Sequence, residues 1–251
     1  MIQLSVVVIA YNEERSIARC LDSVKDLADE IIVVDSYSTD KTCEICTSRG
    51  AKVIQNKFDG HIQQKNFALE KATFQHVLSL DADEVLSDEL RTSIAAAKSE
   101  WRYDGYRMNR LTNYCGAWIR HGGWYPDRKI RLFDKSKGKW TGINPHDRYE
   151  LSDPHDPVGF LRGDILHYSY HSISDHIKQV DYFTEISAQV LFEKRKKCSF
   201  VRQIISPAFR FVRDYFLKCG FLDGYYGFVI SMISSHAVFL KYTKLRELWK
   251  Q

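Results

Sequence analysis

Three features that mark common protein classes are absent from this sequence of 251 residues. No basic leader with a cleavage site precedes the first apolar segment, which begins within three residues of Met1. The longest mostly apolar stretch, residues 225–240, contains four Ser and His residues and is too short and too polar to span a bilayer. No G-x-G-x-x-G follows the first apolar segment, so dinucleotide-binding and P-loop interpretations lose their main support. We therefore expect a protein that starts in the cytoplasm.

Cysteine offers no clear metal or redox site. Cys43 and Cys46 form a C-x-x-C, but they lie in a predicted helix over residues 40–49. A second C-x-x-C, which a four-ligand zinc site needs, does not occur, so we interpret the pair as ordinary helical thiols. Hydrophobic residues make up 44% and charged residues 27%, close to the globular average, which excludes disordered and fibrous classes.

Charge is distributed unevenly along the chain. Residues 1–193 contain 24 Lys and Arg against 29 Asp and Glu, whereas residues 194–251 contain 12 against 3. The overall net charge of +4 therefore combines an acidic body with a basic tail. This asymmetry indicates a division between chemistry in the body and attachment through the tail.

Apolar runs and helical periodicities alternate over the first hundred residues. The runs predict buried strands at residues 4–10, 30–35, 51–54 and 76–80. Helices are predicted between them and at residues 87–98, and Asn12 is a candidate N-cap of the first helix. This β-α-β-α-β-α-β order predicts a doubly wound parallel sheet. From about residue 104 short half-polar strands follow, and after residue 174 the pattern is helical.

Acidic residues follow three of the predicted strands. Glu13 comes after the first strand, Asp35 ends the second, and Asp81 and Asp83 follow the fourth. Ligands of open α/β sheets bind at the carboxyl ends of the strands. Two carboxylates two residues apart, together with nucleotide phosphates, provide the oxygen ligands that Mg²⁺ or Mn²⁺ prefers. A solvated acidic turn before the next helix is the structural alternative.

These segments resemble those of a known family. Three blocks resemble, in order and spacing, the signatures of the family 2 glycosyltransferases: residues 6–14, 32–40 and 78–84. Three more resemble the lipopolysaccharide inner-core β-glucosyltransferase branch: residues 60–66, 124–133 and 220–227. The resemblance covers essentially the whole chain. It implies a GT-A fold, with a Rossmann-like, mostly parallel sheet and flanking helices, and an inverting transfer from a UDP-sugar, expected to be UDP-glucose.

The resemblance also implies roles for individual residues. The donor-binding residues are expected to be Tyr11, Glu13, Asp35, Lys65 and Asp81, and the ligands of a divalent Mg²⁺ or Mn²⁺ to be Asp83 and His167. Within this set Tyr11 and Glu13 flank the nucleoside, Asp35 holds the uracil or ribose, and Asp81 reaches the ribose or the metal. A purely structural, hydrogen-bonded role for His167 stays open.

An inverting transfer needs a general base that takes the proton of the acceptor hydroxyl. In the branch that this chain resembles, a His-Glu pair stands in the second half; the matching pair here is His146-Asp147. Asp can perform the chemistry of Glu with a shorter side chain, so Asp147 is the expected base. Asp127 is the rival, and a structural role for both residues is the third possibility.

The domain hypothesis follows from charge and periodicity. We expect a catalytic domain over residues 1–193, with a nucleotide-sugar half (1–103) and an acceptor half (104–193), and a basic helical extension over 194–251. Basic and apolar residues interleave in that extension, as in elements that lie on anionic membranes. We therefore expect a peripheral protein on the inner face of the cytoplasmic membrane that acts on a lipid-linked glycan. A packed extension without membrane contact is the alternative, and no nucleic-acid partner is expected.

Other functions compete with this prediction. A sugar nucleotidyltransferase would need a glycine-rich basic loop after the first strand, where residues 10–14 are Ala-Tyr-Asn-Glu-Glu. A phosphatase with an Asp nucleophile would have its D-x-D after the first strand. A catalytically inactive nucleotide-sugar or lipid-binding module differs from an enzyme only in activity.

Overall fold

The structure is a computed structural model that describes residues 1–143 and 146–250. Its helices are α1 Ile17–Val24, α2 Thr42–Ser48, α3 His61–Lys71, α4 Asp88–Ser99, α5 Ile173–Glu193, α6 Phe200–Val212 and α7 Gly224–Leu248. Its strands are β1 Leu4–Ala10, β2 Glu30–Asp35, β3 Lys52–Gln55, β4 His76–Asp81, β5 Glu84–Leu86, β6 Gly105–Tyr114, β7 Ala117–Ile119, β8 Asp127–Asp134, β9 Gly138–Ile143, β10 His146–Leu151 and β11 Val158–Tyr170.

The sheet begins as the predicted parallel α/β arrangement and continues as a mixed one. Its order is β3-β2-β1-β4-β8-β6-β11-β5, and β7 pairs with β6. The pairs β1–β2, β1–β4 and β2–β3 are parallel, whereas β8 joins β4 and β6 antiparallel. Strands β9 and β10 form a separate antiparallel pair. The predicted doubly wound sheet is therefore confirmed for the first four strands.

The parallel strands are buried because both faces of the sheet are covered. On β1, Val6 and Val8 belong to one hydrophobic cluster and Val7 belongs to another. Helices α1 and α4 contribute Leu21 and Ile94 to the first cluster, and α3 contributes Ala68 to the second. Alternate side chains of a strand point to opposite faces, so a continuous run of valines is what a strand between two layers requires.

The predicted bounds of β1 and β2 are confirmed, but the predicted cap of the first helix is wrong. Asn12 has a positive φ of 53° and lies in the loop before α1, whose N-cap position is Ser16. The Asn12 side-chain oxygen instead accepts a hydrogen bond from the backbone N–H of Thr39, 2.8 Å away. Asn tolerates the left-handed region, which suits it to this turn.

The chain divides into two compact units. The first contains Met1–Arg110 and Asp127–His167, and the second contains Leu111–Pro126 and the chain from Tyr168 onward. Strands β6 and β11 begin in the first unit and end in the second. The boundary that the charge pattern predicts at residue 193 coincides with the end of α5, inside the second unit. The functional domain assignment stays a prediction.

In the described part of the chain, no single helix has both the length and the hydropathy to cross a membrane. One pair of helical segments, Phe200–Leu217 and Gly220–Leu248, meets those criteria when taken together. The two segments are bent by 72° at the break between them.

Candidate active site

Strand register places the predicted acidic residues at one edge of the sheet. Ala10 at the end of β1 pairs with Asp35 of β2, and Ile9 pairs with Asp81 of β4. The carboxyl ends of the three strands are therefore level, as the sequence predicted. The loops that follow them surround a common region.

The loops after β1 and β2 are tied to each other by hydrogen bonds. The backbone N–H of Asn12 donates to Ser38 Oγ, and that of Glu13 donates to Thr42 Oγ1, both over 2.8 Å. Asp35 is fully buried, and its carboxylate accepts a hydrogen bond from the backbone N–H of Ser38 at 2.8 Å. Tyr11 is 58% exposed. The structure therefore holds Tyr11 at the surface and uses Asp35 in the turn; their contacts with a nucleoside stay predictions.

Asp81 lies between two buried cations. Its Oδ1 is 2.9 Å from Lys65 Nζ, and its Oδ2 is 3.0 Å from an Arg131 guanidinium nitrogen. Lys65 and Arg131 are 2% and 3% exposed. Burial by itself raises the pKa of Asp81, but the two cations outweigh it and hold that pKa well below the usual value. Asp81 is therefore a fixed negative charge.

Lys65 also connects Asp81 to the predicted base. Its Nζ donates a hydrogen bond of 2.7 Å to Asp147 Oδ2 and lies 4.5 Å from the centre of the Trp140 ring. Asp147 belongs to β10, and the side chain of Asp147 is 12% exposed. Asn144 and Pro145 of the same predicted motif lie outside the described residues. One lysine from α3 therefore bridges the carboxylate at the end of β4 and the carboxylate on β10.

Glu84 and Asp127 form a second group of ion pairs beside the first. Glu84 is fully buried, and its carboxylate lies 2.9 Å from Arg131 and 3.6 Å from Arg110. The same carboxylate accepts a hydrogen bond from the backbone N–H of Asp81. Asp127 pairs with Arg110 at 2.9 Å and with Lys129 at 3.1 Å. Both carboxylate oxygens of the rival base are thus engaged by cations.

The two predicted metal ligands lie next to each other. His167 Nε2 is 3.1 Å from Asp83 Oδ2, and His167 Nδ1 is buried without a hydrogen-bond partner. Burial lowers the pKa of His167, but the Asp83 carboxylate outweighs it and the net shift is upward. Burial and the charge of Asp83 raise the pKa of Glu13 to about 7. Negative potential therefore accumulates where a cation is expected, although no cluster of three ligand residues occurs within residues 1–143 and 146–250.

A cavity of about 530 Å³ lies in the first unit beside these ion pairs. Its charged lining residues are Lys65, Arg107, Arg110, Arg128, Lys129, Arg131, Arg148, Asp81 and Asp147. Trp140 and Tyr149 add aromatic surface. Seven cations against two carboxylates give this cavity a positive lining within an acidic body, which suits phosphate groups.

The structure joins five of the predicted residues into two groups: the chain Asp81–Lys65–Asp147 and the pair Asp83–His167. Sequence reasoning missed Arg131 and Glu84. The available signal was an arginine between Ile130 and Leu132 in a predicted strand, since an unpaired cation does not stay in such a position.

Known proteins resemble this chain in sequence. The sequence model of the family described as Glycosyl transferase family 2 matches residues 5–154. An uncharacterized glycosyltransferase of Rickettsia typhi is 35% identical over 99% of this chain and 88% of its own length. The lipopolysaccharide core biosynthesis glycosyltransferase LpsC of Rhizobium meliloti is 29% identical over 96% of this chain and 91% of its own.

Among solved structures, the chain is similar to glucosyl-3-phosphoglycerate synthase of Mycobacterium tuberculosis, determined with Mn²⁺, UDP and glucosyl-3-phosphoglycerate. The identity is 23% and the TM-score 0.38, over 45% of this chain and 44% of that one. The family match covers the parallel strands and the loops at their carboxyl ends, and relatives align along nearly the whole chain. The predicted GT-A fold and family resemblance are confirmed: this chain is a member of glycosyltransferase family 2.

Proposed function

We propose that this chain transfers a hexose, glucose in the first instance, from a UDP-sugar to a lipopolysaccharide core or other lipid-linked glycan, with inversion at the anomeric carbon. The contact chain Asp81–Lys65–Asp147 carries the proposal. It links a carboxylate at the end of β4, on the expected donor side, to the expected base on β10, in one positively lined cavity.

A divalent cation fits the residues at the edge of the sheet. Asp83 and His167 would hold it, since they meet at 3.1 Å and His167 has a buried nitrogen without a partner. Two protein ligands are enough for Mg²⁺ or Mn²⁺ when substrate phosphates and waters complete the shell. When bound, the cation would neutralise charge that develops on the leaving diphosphate.

Asp147 is the proposed base. Its carboxylate would accept the proton of the acceptor hydroxyl as the hydroxyl oxygen attacks the anomeric carbon. Lys65 holds this carboxylate by a single contact of 2.7 Å, whereas two cations engage the carboxylate of Asp127. The difference supports Asp147, because a base needs an oxygen that faces its substrate.

The cavity lining and the related proteins support the proposed donor and acceptor. The excess of cations in the lining suits the diphosphate of a nucleotide-sugar. The similarity to LpsC supports a lipopolysaccharide core acceptor. Such an acceptor is anchored in a membrane, so we also propose that the basic segment Lys194, Arg195, Lys196 and Lys197 holds the protein at the anionic inner face of the cytoplasmic membrane.

The function can be tested by release of UDP from UDP-glucose in the presence of Mg²⁺ or Mn²⁺, with lipopolysaccharide of truncated core as acceptor. Release that depends on acceptor, and a product of inverted anomeric configuration by NMR, are expected. Asp83→Ala should lower the rate more than tenfold, which is about 1.4 kcal/mol of barrier, while the chain stays folded. A variant that keeps more than about a tenth of the rate would exclude Asp83 as a metal ligand. Equal turnover of UDP-galactose would contradict the donor assignment.

A further inference from the structure

Helix α6 is oriented opposite to an ordinary surface helix. Its two buried residues are Gln203 and Pro207. Most of its exposed side chains are large and apolar, namely Phe200, Val201, Ile204, Ile205, Phe209 and Val212, and Arg202 is the exposed charge among them. A helix on a water-soluble protein buries its apolar side and exposes its polar one. Here the polar side faces the protein.

The same arrangement continues past the end of α6. Large apolar residues are exposed in the bend and on the first half of α7: Phe216, Leu217, Phe221, Leu222, Tyr225, Phe228 and Met232. Together with the six residues of α6 they form what we call the outer apolar face, thirteen residues between positions 200 and 232. Exposed large apolar side chains in this number, within one stretch of the chain, mark an interaction site.

Polar and small groups connect α6 to α7. Gln203 donates to Thr243 Oγ1 over 2.6 Å, and Ser235 donates to the carbonyl oxygen of Pro207 over 2.8 Å. At the bend, a Cβ added to Gly227 would lie 1.9 Å from the carbonyl oxygen of Gly220, so only glycine fits there. Helices packed through small residues and hydrogen bonds, with apolar side chains outward, are typical of a lipid environment.

The charges near this face are neutralised or peripheral. Asp214 is buried and paired with Arg210 and Arg213, and Asp223 is paired with His121 at 2.8 Å. Arg202, in the first turn of α6, lies over the Tyr242 ring. The exposed Lys218 remains in the bend, and a long lysine chain can extend its charge toward water.

We propose that the α6–α7 hairpin inserts its outer apolar face into the acyl layer of one leaflet, entering and leaving on the same side. This insertion rests on the membrane location proposed above. It places part of the protein inside the acyl layer, beyond adsorption to the surface by charge. The hydrogen bonds from Gln203 to Thr243 and from Ser235 to Pro207 fold the two segments back on each other, as a re-entrant hairpin requires. The basic residues 194–197 end two residues before α6, where they would reach the headgroups. The proposed occupant is lipid, because the two segments together have the length and hydropathy of a membrane element and a run of four basic residues stands next to them in the chain.

The experiment measures co-sedimentation of the full chain with two kinds of vesicle, neutral phosphatidylcholine and a mixture with anionic phosphatidylglycerol, at 0.1 and 1 M NaCl. At 1 M salt the screening length is about 3 Å, so binding by surface charge is lost while apolar insertion persists. The wild type should stay on both vesicles at 1 M NaCl. A lipid with a photoreactive group on its acyl chain should label peptides from residues 200–232.

Three variants separate the contributions. Ile205→Ser with Phe209→Ser and Phe216→Ser should lower partition into neutral vesicles at least about tenfold. The matched control, Ile177→Ser with Tyr182→Ser, removes exposed apolar side chains of α5 and should bind like the wild type. Replacement of all four residues 194–197 by Gln should weaken binding to anionic vesicles at 0.1 M NaCl and leave neutral binding unchanged.

Three outcomes of these experiments would contradict the insertion of the hairpin. Release of the wild type by 1 M NaCl would leave the surface residence intact and exclude the hairpin from the acyl layer. Failure to bind any vesicle would exclude both the basic surface contact and the inserted hairpin. The proposed glycosyl transfer would still be tested separately, by acceptor-dependent release of UDP. The wild type could instead form a dimer in the absence of vesicles. If the triple Ser variant were monomeric but bound vesicles like the wild type, a second copy of the chain would be the partner of this face.

Discussion

The two units of this chain place their apolar residues in opposite ways. Among the described residues, the first unit contains thirty-four buried hydrophobic residues and seven large exposed ones. The second contains six buried and sixteen large exposed ones. The first unit therefore has the core of a water-soluble α/β domain, whereas the second exposes more large apolar side chains than it has buried hydrophobic residues.

The two units also bury different polar groups. The first unit buries Lys65, Arg131 and Glu84 in a network around Asp81. The small core of the second unit is aromatic, with Tyr114 against the buried His176. Buried charges are retained where they position chemistry, and exposed apolar surface where a non-aqueous partner covers it. The contrast thus supports the proposed division into a catalytic unit and an attachment unit.

The largest expected effect concerns the buried ion pairs of the first unit. Arg131→Met should lower the free energy of unfolding by about 3–5 kcal/mol, because Asp81 and Glu84 would lose a buried partner. Urea denaturation measures the change. Arg162→Met, an exposed position on β11, is the control and should change it by less than about 0.5 kcal/mol. Equal effects would mean that the network does not support the first unit.

The next effect is a pH dependence in the second unit. Burial lowers the pKa of His176 from 6.5 to about 4, and Tyr114 Oη lies 2.9 Å from its Nδ1. Above pH 6.5 the imidazole is neutral in both the folded and the unfolded protein, so its protonation does not change the free energy of unfolding. As the pH falls toward 4, the unfolded state binds the proton first, and up to roughly 3 kcal/mol of stability is lost. The difference between wild type and His176→Gln should therefore shrink on acidification; a constant difference from pH 7 to 4 would contradict it.

The third effect tests whether the network of the first unit performs chemistry. Asp147→Asn keeps the shape of the side chain but removes the proton acceptor, so transfer should fall by roughly 10² while UDP binding persists. Asp127→Asn is the matched control and should retain most of the rate. Steady-state rates and calorimetric UDP binding distinguish the two. A large loss for Asp127→Asn and a small one for Asp147→Asn would move the base to Asp127.

The smallest expected effect lies on the outer apolar face. Phe209→Ser, measured without lipid, should change the free energy of unfolding by less than about 0.5 kcal/mol, because the ring is exposed and fills no core. Thermal denaturation of the two proteins measures this. A loss above about 1.5 kcal/mol would show that Phe209 is packed in solution, and the contrast between the units would disappear.

The parallel half of the fold could be predicted from local patterns. The runs at residues 4–10 and 30–35 form β1 and β2 with the predicted bounds, because uninterrupted β-branched runs suit only strands covered on both faces. The Asp83–His167 pair was expected from the family resemblance. The Asn12 cap failed because Asn caps helices and occupies left-handed turns equally well, and only the contact with Thr39 decides between them.

The sequence by itself determined the strands of the parallel sheet, the acidic residues at their ends, the family and the helical tail, since each depends on residues that are close in the chain or on the order of motifs. Tertiary structure alone decided the partners of the buried charges: Arg131 meets Asp81 from fifty positions away. It also decided which side of α6 is buried. The periodicity of that helix shows an apolar side and a polar side, but only the hydrogen bond from Gln203 to Thr243 reveals that the polar side faces α7. A helical pattern defines two faces, and the neighbour that the fold supplies determines which of them is buried.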